Sequence, residues 1–184
     1  LKGAWSGSAA PDLCYFPIEE ENPVKRATVR WAGVLLLALA ATSGYGQLVS
    51  KKSLTLEAAK RIAAAAEAEA RKNNWTVVIA IVDDGANLLY LERMDGTQLG
   101  SIEIAQFKAR SAVNFKRPTK EFGDRLAGGA TYLLSVPGVA PFEGGVPLIS
   151  ADGQILGAIG VSGMTSQQDG VVAAAGAAVA AQMK

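Results

Sequence analysis

A chain of 184 residues carrying 18 basic and 17 acidic side chains is close to neutral, so its charge directs it neither to nucleic acid nor to an anionic membrane surface. It contains no histidine, which excludes a Ser-His-Asp triad, ordinary zinc sites and histidine acid–base chemistry. Its one cysteine, Cys14, lies near the start, which leaves the rest of the chain without disulfide or thiol chemistry.

Lys25, Arg26 and Arg30 precede an apolar run, Trp31 to Ala41, and Gly44 and Gly46 supply the small residues of a cleavage site. That order is the order of a secretory signal peptide, and the run is shorter than the roughly 20 residues a membrane-crossing helix needs. Export to the periplasm or outside the cell is therefore expected, with residues 24–46 removed and no stable membrane span afterwards. Residues 1–23 are expected to be a mistranslated upstream leader. Val24 reads as a GUG start, and Glu19-Glu20-Glu21 would be encoded by purine-rich codons resembling a ribosome-binding site. Residues 47–184 then make one domain, long enough for a real core.

Within that domain Thr55 caps a helix over residues 56–72, with Leu56, Ala59, Ala63, Ala66 and Ala70 on one face. The β-branched run from Thr76 to Val82, the turn Asp83-Asp84-Gly85-Ala86-Asn87 and the run from Leu88 to Arg93 predict a hairpin. A second helix follows over 100–115, with Ile102, Ala105, Ala109, Ala112 and Val113 facing inward. Pro118 stops it, and Thr119 is placed to cap a short helix over 120–126. About 20 irregular residues come next, a loop length that in a compact domain points to function more than to connection. A second hairpin spans 146–150 and 154–161. Thr165-Ser166-Gln167-Gln168 is a capping box that opens a final Ala/Val/Gly helix to about residue 181, with apolar character on every side. Helices alternating with hairpins predict an antiparallel sheet with helices on its faces.

The second hairpin is unusually thin: Gly144, Gly145, Gly157, Gly160 and Gly163 stand where bulky core residues are expected. Glycine inside a strand marks a bulge or a close approach, here read as a recess for something flat. Arg93 at a strand end is either a solvated charge or a planar fork for a ligand carboxylate. Met94 offers soft packing or a thioether, and Asp95 begins the turn. Lys108 is placed to reach the same mouth, or simply to be solvated. Thr119 is a cap or a contact. Ser162 is a turn residue or a hydrogen-bond donor to ligand, since no histidine supports it as a nucleophile. The glycine spacing does not follow a dinucleotide fingerprint, and no nucleotide is expected.

Taken in order, Val82-Asp83-x-Gly85, Arg93-Met94-Asp95-Gly96, Ser101-Ile102-x-Ile104-Ala105-x-x-Lys108-Ala109, Pro118-Thr119, Pro137-Gly138, Gly144-Gly145-Val146-Pro147, Gly157-Ala158-Ile159-Gly160-Val161-Ser162-Gly163 and Gln167-Gln168-Asp169 resemble the GlcG/HbpS-type haem-binding family. The resemblance runs from about Leu54 to Ala181. It implies a three-layer α/β/α domain of α/β (α+β) class, with a five-stranded antiparallel sheet of profilin-like type, and homo-oligomers that are often octamers built from dimers. It also implies haem as a cofactor, with Arg93 or Lys108 for its propionates. In the absence of histidine the iron-ligand candidates are Met94, Met164, Tyr90, Tyr132, Lys108 or a threonine. Three functions are expected in order: exported haem or tetrapyrrole binding, including sequestration or degradation under oxidative stress; an enzyme or sensor for a small carboxylated metabolite such as a 2-hydroxy acid; and a structural oligomer without ligand. In the second, Arg93 clamps the carboxylate and Lys108 or Asp95 carries the proton.

Overall fold

Thr55 opens the first helix of the computed structural model, which describes Gly46 and residues 51–183. Apart from Gly46, the expected leader over 1–23 and signal peptide over 24–46 lie outside the described residues. The Thr55 hydroxyl accepts from the backbone N–H of Ala58 at 3.2 Å, and α1 runs over Leu56–Lys72. Its buried stripe is Ala59, Ile62, Ala63, Ala66 and Ala70. Leu56, expected on that face, is half exposed.

Strands β1 (Val78–Asp83) and β2 (Leu88–Arg93) form the first hairpin. Its turn is tied by Asp83, whose Oδ1 accepts from the backbone N–H groups of Gly85 and Asn87 at 2.9 and 2.8 Å. Helix α2 covers Ser101–Phe115 and α3 covers Lys120–Ala127. A short 3-10 helix, Thr131–Ser135, interrupts the long irregular stretch. Strands β3 (Gly145–Ile149) and β4 (Ile155–Ser162) make the second hairpin, and α4 (Ser166–Ala180) ends the fold with the complete capping box that Thr165 and Gln168 predict.

All pairings are antiparallel, in the order β2-β1-β4-β3. The expected fifth strand is absent among the described residues. The segment between α3 and β3 turns through the 3-10 helix and carries Pro137 and Pro141, which lack the N–H a strand would have to donate. Pro147 is accommodated because β3 is an edge strand.

Residue alternation assigns the layers. Ile79, Ile81, Ile159 and Val161 point to one side, into the main core with Ile62 of α1 and Val172 of α4. Val78, Ala80, Val82 and Ala158 point to the other, against Ala105, Ala109 and Ala112 of α2. Helices therefore cover both faces, giving the three-layer α/β/α arrangement. Each isoleucine buried in this way contributes about 1.5–3 kcal/mol. The all-round apolar character of α4 is partly explained here: Gly176 lets it pack against Ile159 and the α1 backbone at Ile62.

Candidate functional site

Lys108 lies between Phe107 and Ala109 on the sheet-facing side of α2, so a cation is carried into the interior where an alanine stripe would otherwise continue. Its Nζ donates to Asp169 Oδ2 at 2.7 Å and to the carbonyl of Val161 at 2.8 Å. Asp169 stands in the first turn of α4, where the helix dipole favours negative charge, and its Oδ1 accepts from the backbone N–H of Met164 at 3.0 Å. Phe142 covers the ammonium, with its ring centroid 5.5 Å from Nζ. Burial pulls Lys108 below the ordinary lysine value, against the opposing effect of Asp169 and Glu143. Burial likewise pushes Asp169 above the usual carboxylate value, against Lys108 and the N–H groups of Met164 and Gly163. With only 2% of the Lys108 side chain exposed, the pair acts as a clasp joining α2, β4 and α4, closed to reactants.

Four of the residues expected from sequence to touch a ligand gather at this clasp and support it. Gly144 has φ 125°, and a side chain there would meet Lys108 Nζ and the Val161 carbonyl, each at 2.7 Å. Gly145 lies against the Lys108 backbone and Thr119 Cγ2. Thr119 stands at the N-cap position of α3, but its hydroxyl makes no capping hydrogen bond there, contrary to expectation. Its hydroxyl instead accepts from the Gly145 N–H at 2.9 Å, while its own N–H donates to the Gly145 carbonyl at 2.9 Å, pinning the start of α3 to β3. Ser162, one residue beyond Val161, donates to Ser101 at 3.2 Å and is buried.

The recess expected over the glycine-thinned hairpin is therefore filled from within. A Cβ on Gly160 would collide with the Ala105 carbonyl and the Ala109 nitrogen, and one on Gly157 with the Val82 carbonyl. The missing side chains allow α2 and the neighbouring strand to approach β4 closely at these positions.

Arg93, Met94 and Asp95 lie at the end of β2, the sheet edge opposite β3, so Lys108 does not share their mouth. Val78 pairs with both Arg93 and Ser162, which places those two residues in one row across three strands. Arg93 is exposed and its Nη1 donates to the Thr97 carbonyl at 3.2 Å. Met94 is buried in the main core, its N–H on the Val77 carbonyl, and Asp95 is exposed. Thr97 is 4% exposed, and its hydroxyl is the one buried side-chain polar atom without a hydrogen-bond partner among the described residues.

The iron-ligand candidates separate in the same way. Met94 and Lys108 are committed to the interior. Tyr90 donates to Glu92 Oε2 at 2.8 Å, and that hydrogen bond raises its pKa. Met164 is 39% exposed and Tyr132 is 55% exposed. The Tyr132 oxygen accepts from Arg125 Nη2 at 2.7 Å. Near the clasp, Ile104 and Phe107 are exposed, and Phe107 packs on Phe142 with ring centroids 6.3 Å apart. Sequence reasoning did not single out Phe142, Ser101, Thr97 or Arg125. Phe142 borders the glycine pair it helps to seal, and Arg125 has no local signal beyond its position in the last turn of α3.

Comparison with known proteins completes this picture. The family model described as "Haem degrading protein HbpS-like" matches residues 54–178. Protein GlcG of Escherichia coli strain K12 is 46% identical over 113 residues, which is 61% of this chain and 84% of GlcG. The structure of a Streptomyces reticuli HbpS double mutant is similar with a TM-score of 0.66 at 40% identity, covering 73% of this chain and 91% of that one. PduOC, crystallised as a complex with haem, is similar with a TM-score of 0.63 at 30% identity, covering 70% of this chain and 95% of that one. With the family model spanning nearly the whole described domain, the chain belongs to the HbpS-like family.

Proposed function

We propose that this protein binds haem or a related tetrapyrrole on an exposed face, with the iron held by a side chain other than histidine. The observation that carries the reading is the donor set: an exposed phenol, Tyr132, and an exposed thioether, Met164, in a chain of the same family as a protein crystallised with haem. Both donor types ligate haem iron elsewhere in nature. Haem, when bound, supplies a redox-active iron and intense visible absorption. The chain supplies exposed apolar surface through Ile104 and Phe107, and exposed cations for carboxylate recognition. The reading includes export, on the strength of residues 24–46, and self-association through the outward positions Val171, Ala174 and Ala178 of α4.

Titration of the purified chain with haemin tests this. A saturable Soret band with a shift from free haemin supports it. Absence of any spectral change at stoichiometric protein would remove it.

A second reading, an enzyme or sensor for a small carboxylated metabolite such as a 2-hydroxy acid, is favoured by the end of β2. There the Arg93 guanidinium donates to the backbone carbonyl of Thr97, a residue whose buried hydroxyl has no hydrogen-bond partner among the described residues. Arg93 would clamp the carboxylate and the exposed Asp95 would carry the proton, since Lys108 is committed to Asp169. Thermal-shift screening with 2-hydroxy acids, on the wild type and Arg93→Ala, separates this reading from the first. A stabilisation lost in the variant favours it, and no response to any hydroxy acid rejects it.

A further inference from the structure

Resting on the haem reading, we propose that Tyr132 is the ligand to ferric haem iron and that Arg125 is its positioning residue. Among the described tyrosines and methionines only Tyr132 and Met164 are exposed, and their chemistry differs. Thioether sulfur is soft and suits the reduced metal, whereas an anionic phenol oxygen is hard and suits the ferric state. An exported protein meeting haem in an oxidising compartment meets it as ferric haem.

The local geometry separates the two described tyrosines by what surrounds their oxygens. In Tyr90 the hydroxyl donates to a carboxylate, Glu92, so its proton is engaged and negative charge already stands beside it. In Tyr132 the relationship is inverted. A guanidinium N–H of Arg125 donates to the oxygen at 2.7 Å, placing positive charge where a ligating phenolate carries its negative charge. The oxygen keeps a lone pair for the metal. Complex formation would exchange the water or hydroxide on haemin iron for the Tyr132 oxygen: a departing hydroxide would take up the phenol proton and leave as water, or a departing water would leave with the proton passing to solvent, and the iron would stay ferric.

The segment is built to hold that oxygen still. Leu133 is buried with Phe122 and Val139 in a small separate core, which anchors the 3-10 helix and leaves Tyr132 and Leu134 on the outside. The Ser135 hydroxyl donates to the Tyr132 carbonyl at 2.7 Å and tightens the turn. Leu134, 68% exposed, offers apolar area next to the phenol. Lys116, Arg117, Lys120 and Arg125 outnumber Glu121 and Asp124 across 116–125, all of them exposed, which suits a ligand bearing two propionates.

The test is haemin titration of the full chain as wild type, Tyr132→Phe, Met164→Leu, Arg125→Ala and Arg125→Lys, read by absorption and by resonance Raman for the iron–phenolate stretch. Circular dichroism melts confirm that each variant is folded. The expected result is a phenolate signature in the wild type and in Met164→Leu that disappears in Tyr132→Phe, with affinity falling about tenfold or more. Arg125→Ala is expected to shift the phenolate-to-iron band and weaken binding about tenfold, with partial rescue by Arg125→Lys. A wild-type complex whose spectrum is unchanged in Tyr132→Phe, or is lost only in Met164→Leu, overturns this assignment and leaves the haem reading standing. A wild type that forms no haemin complex overturns both.

Discussion

Lys108 and Asp169, 61 positions apart in sequence, meet at 2.7 Å with 2% and 3% of their side chains exposed. Removing either partner leaves the other as an uncompensated buried charge. Lys108→Met and Asp169→Leu should each destabilise the domain by about 3–5 kcal/mol, and the double variant should recover most of that loss. Urea unfolding midpoints measure it. Single variants that unfold at the wild-type midpoint would show that the clasp contributes nothing.

Thr119 is the second internal pin. Thr119→Val keeps the shape but removes the acceptor for the buried Gly145 N–H, which should cost about 1–3 kcal/mol. Thr119→Ser keeps the hydroxyl and should fall between Thr119→Val and the wild type. Equal unfolding midpoints for the wild type and Thr119→Val would contradict the assignment.

Glycines in this fold should answer alanine substitution with opposite signs. Gly160→Ala drives a methyl into the α2 backbone and should destabilise by at least about 1–3 kcal/mol. Gly100 has helical φ and ψ of −60° and −23°, with nothing within 4 Å of the position a Cβ would take. Gly100→Ala should therefore stabilise by about 0.4–1 kcal/mol, by restricting the unfolded chain. Thermal melts of the two variants check the pair, and a shift in the same direction for both would count against the packing account.

Acid sensitivity should be traceable to the exposed turn of the second hairpin. Lys52 and the Ser150 hydroxyl lower Asp152 from the usual carboxylate value to about 2. The unfolded chain then binds more protons than the folded one between that value and the ordinary carboxylate value, so stability rises with pH there. The contribution is fully present above the ordinary value and fades as pH falls toward 2. Asp152→Asn should flatten the acid limb of a melting-temperature profile by lowering the neutral plateau slightly, while leaving the value near pH 2 nearly unchanged. A profile that matches the wild type throughout would remove Asp152 as the cause.

Local physics accounts for what was legible in the residues alone. The caps at Thr55 and Thr165, both hairpins, the approximate spans of α1 to α4 and the family resemblance all follow from signals within a few positions of each other. Such signals report backbone preferences and apolar periodicity, and they state that Gly160 must be small without saying what fills the space. The filling was decided by tertiary structure. The turn of α2 that carries Ala105 and Ala109 occupies the expected recess, Lys108 finds Asp169 instead of a ligand, and Thr119 pins β3 instead of capping α3. Each of these depends on how distant elements cross over the sheet, and chain spacing carries no record of a partner 26 or 61 positions away. The same reason separates Tyr90 from Tyr132: two phenols of equal standing in the chain, one facing a carboxylate and the other a guanidinium once folded.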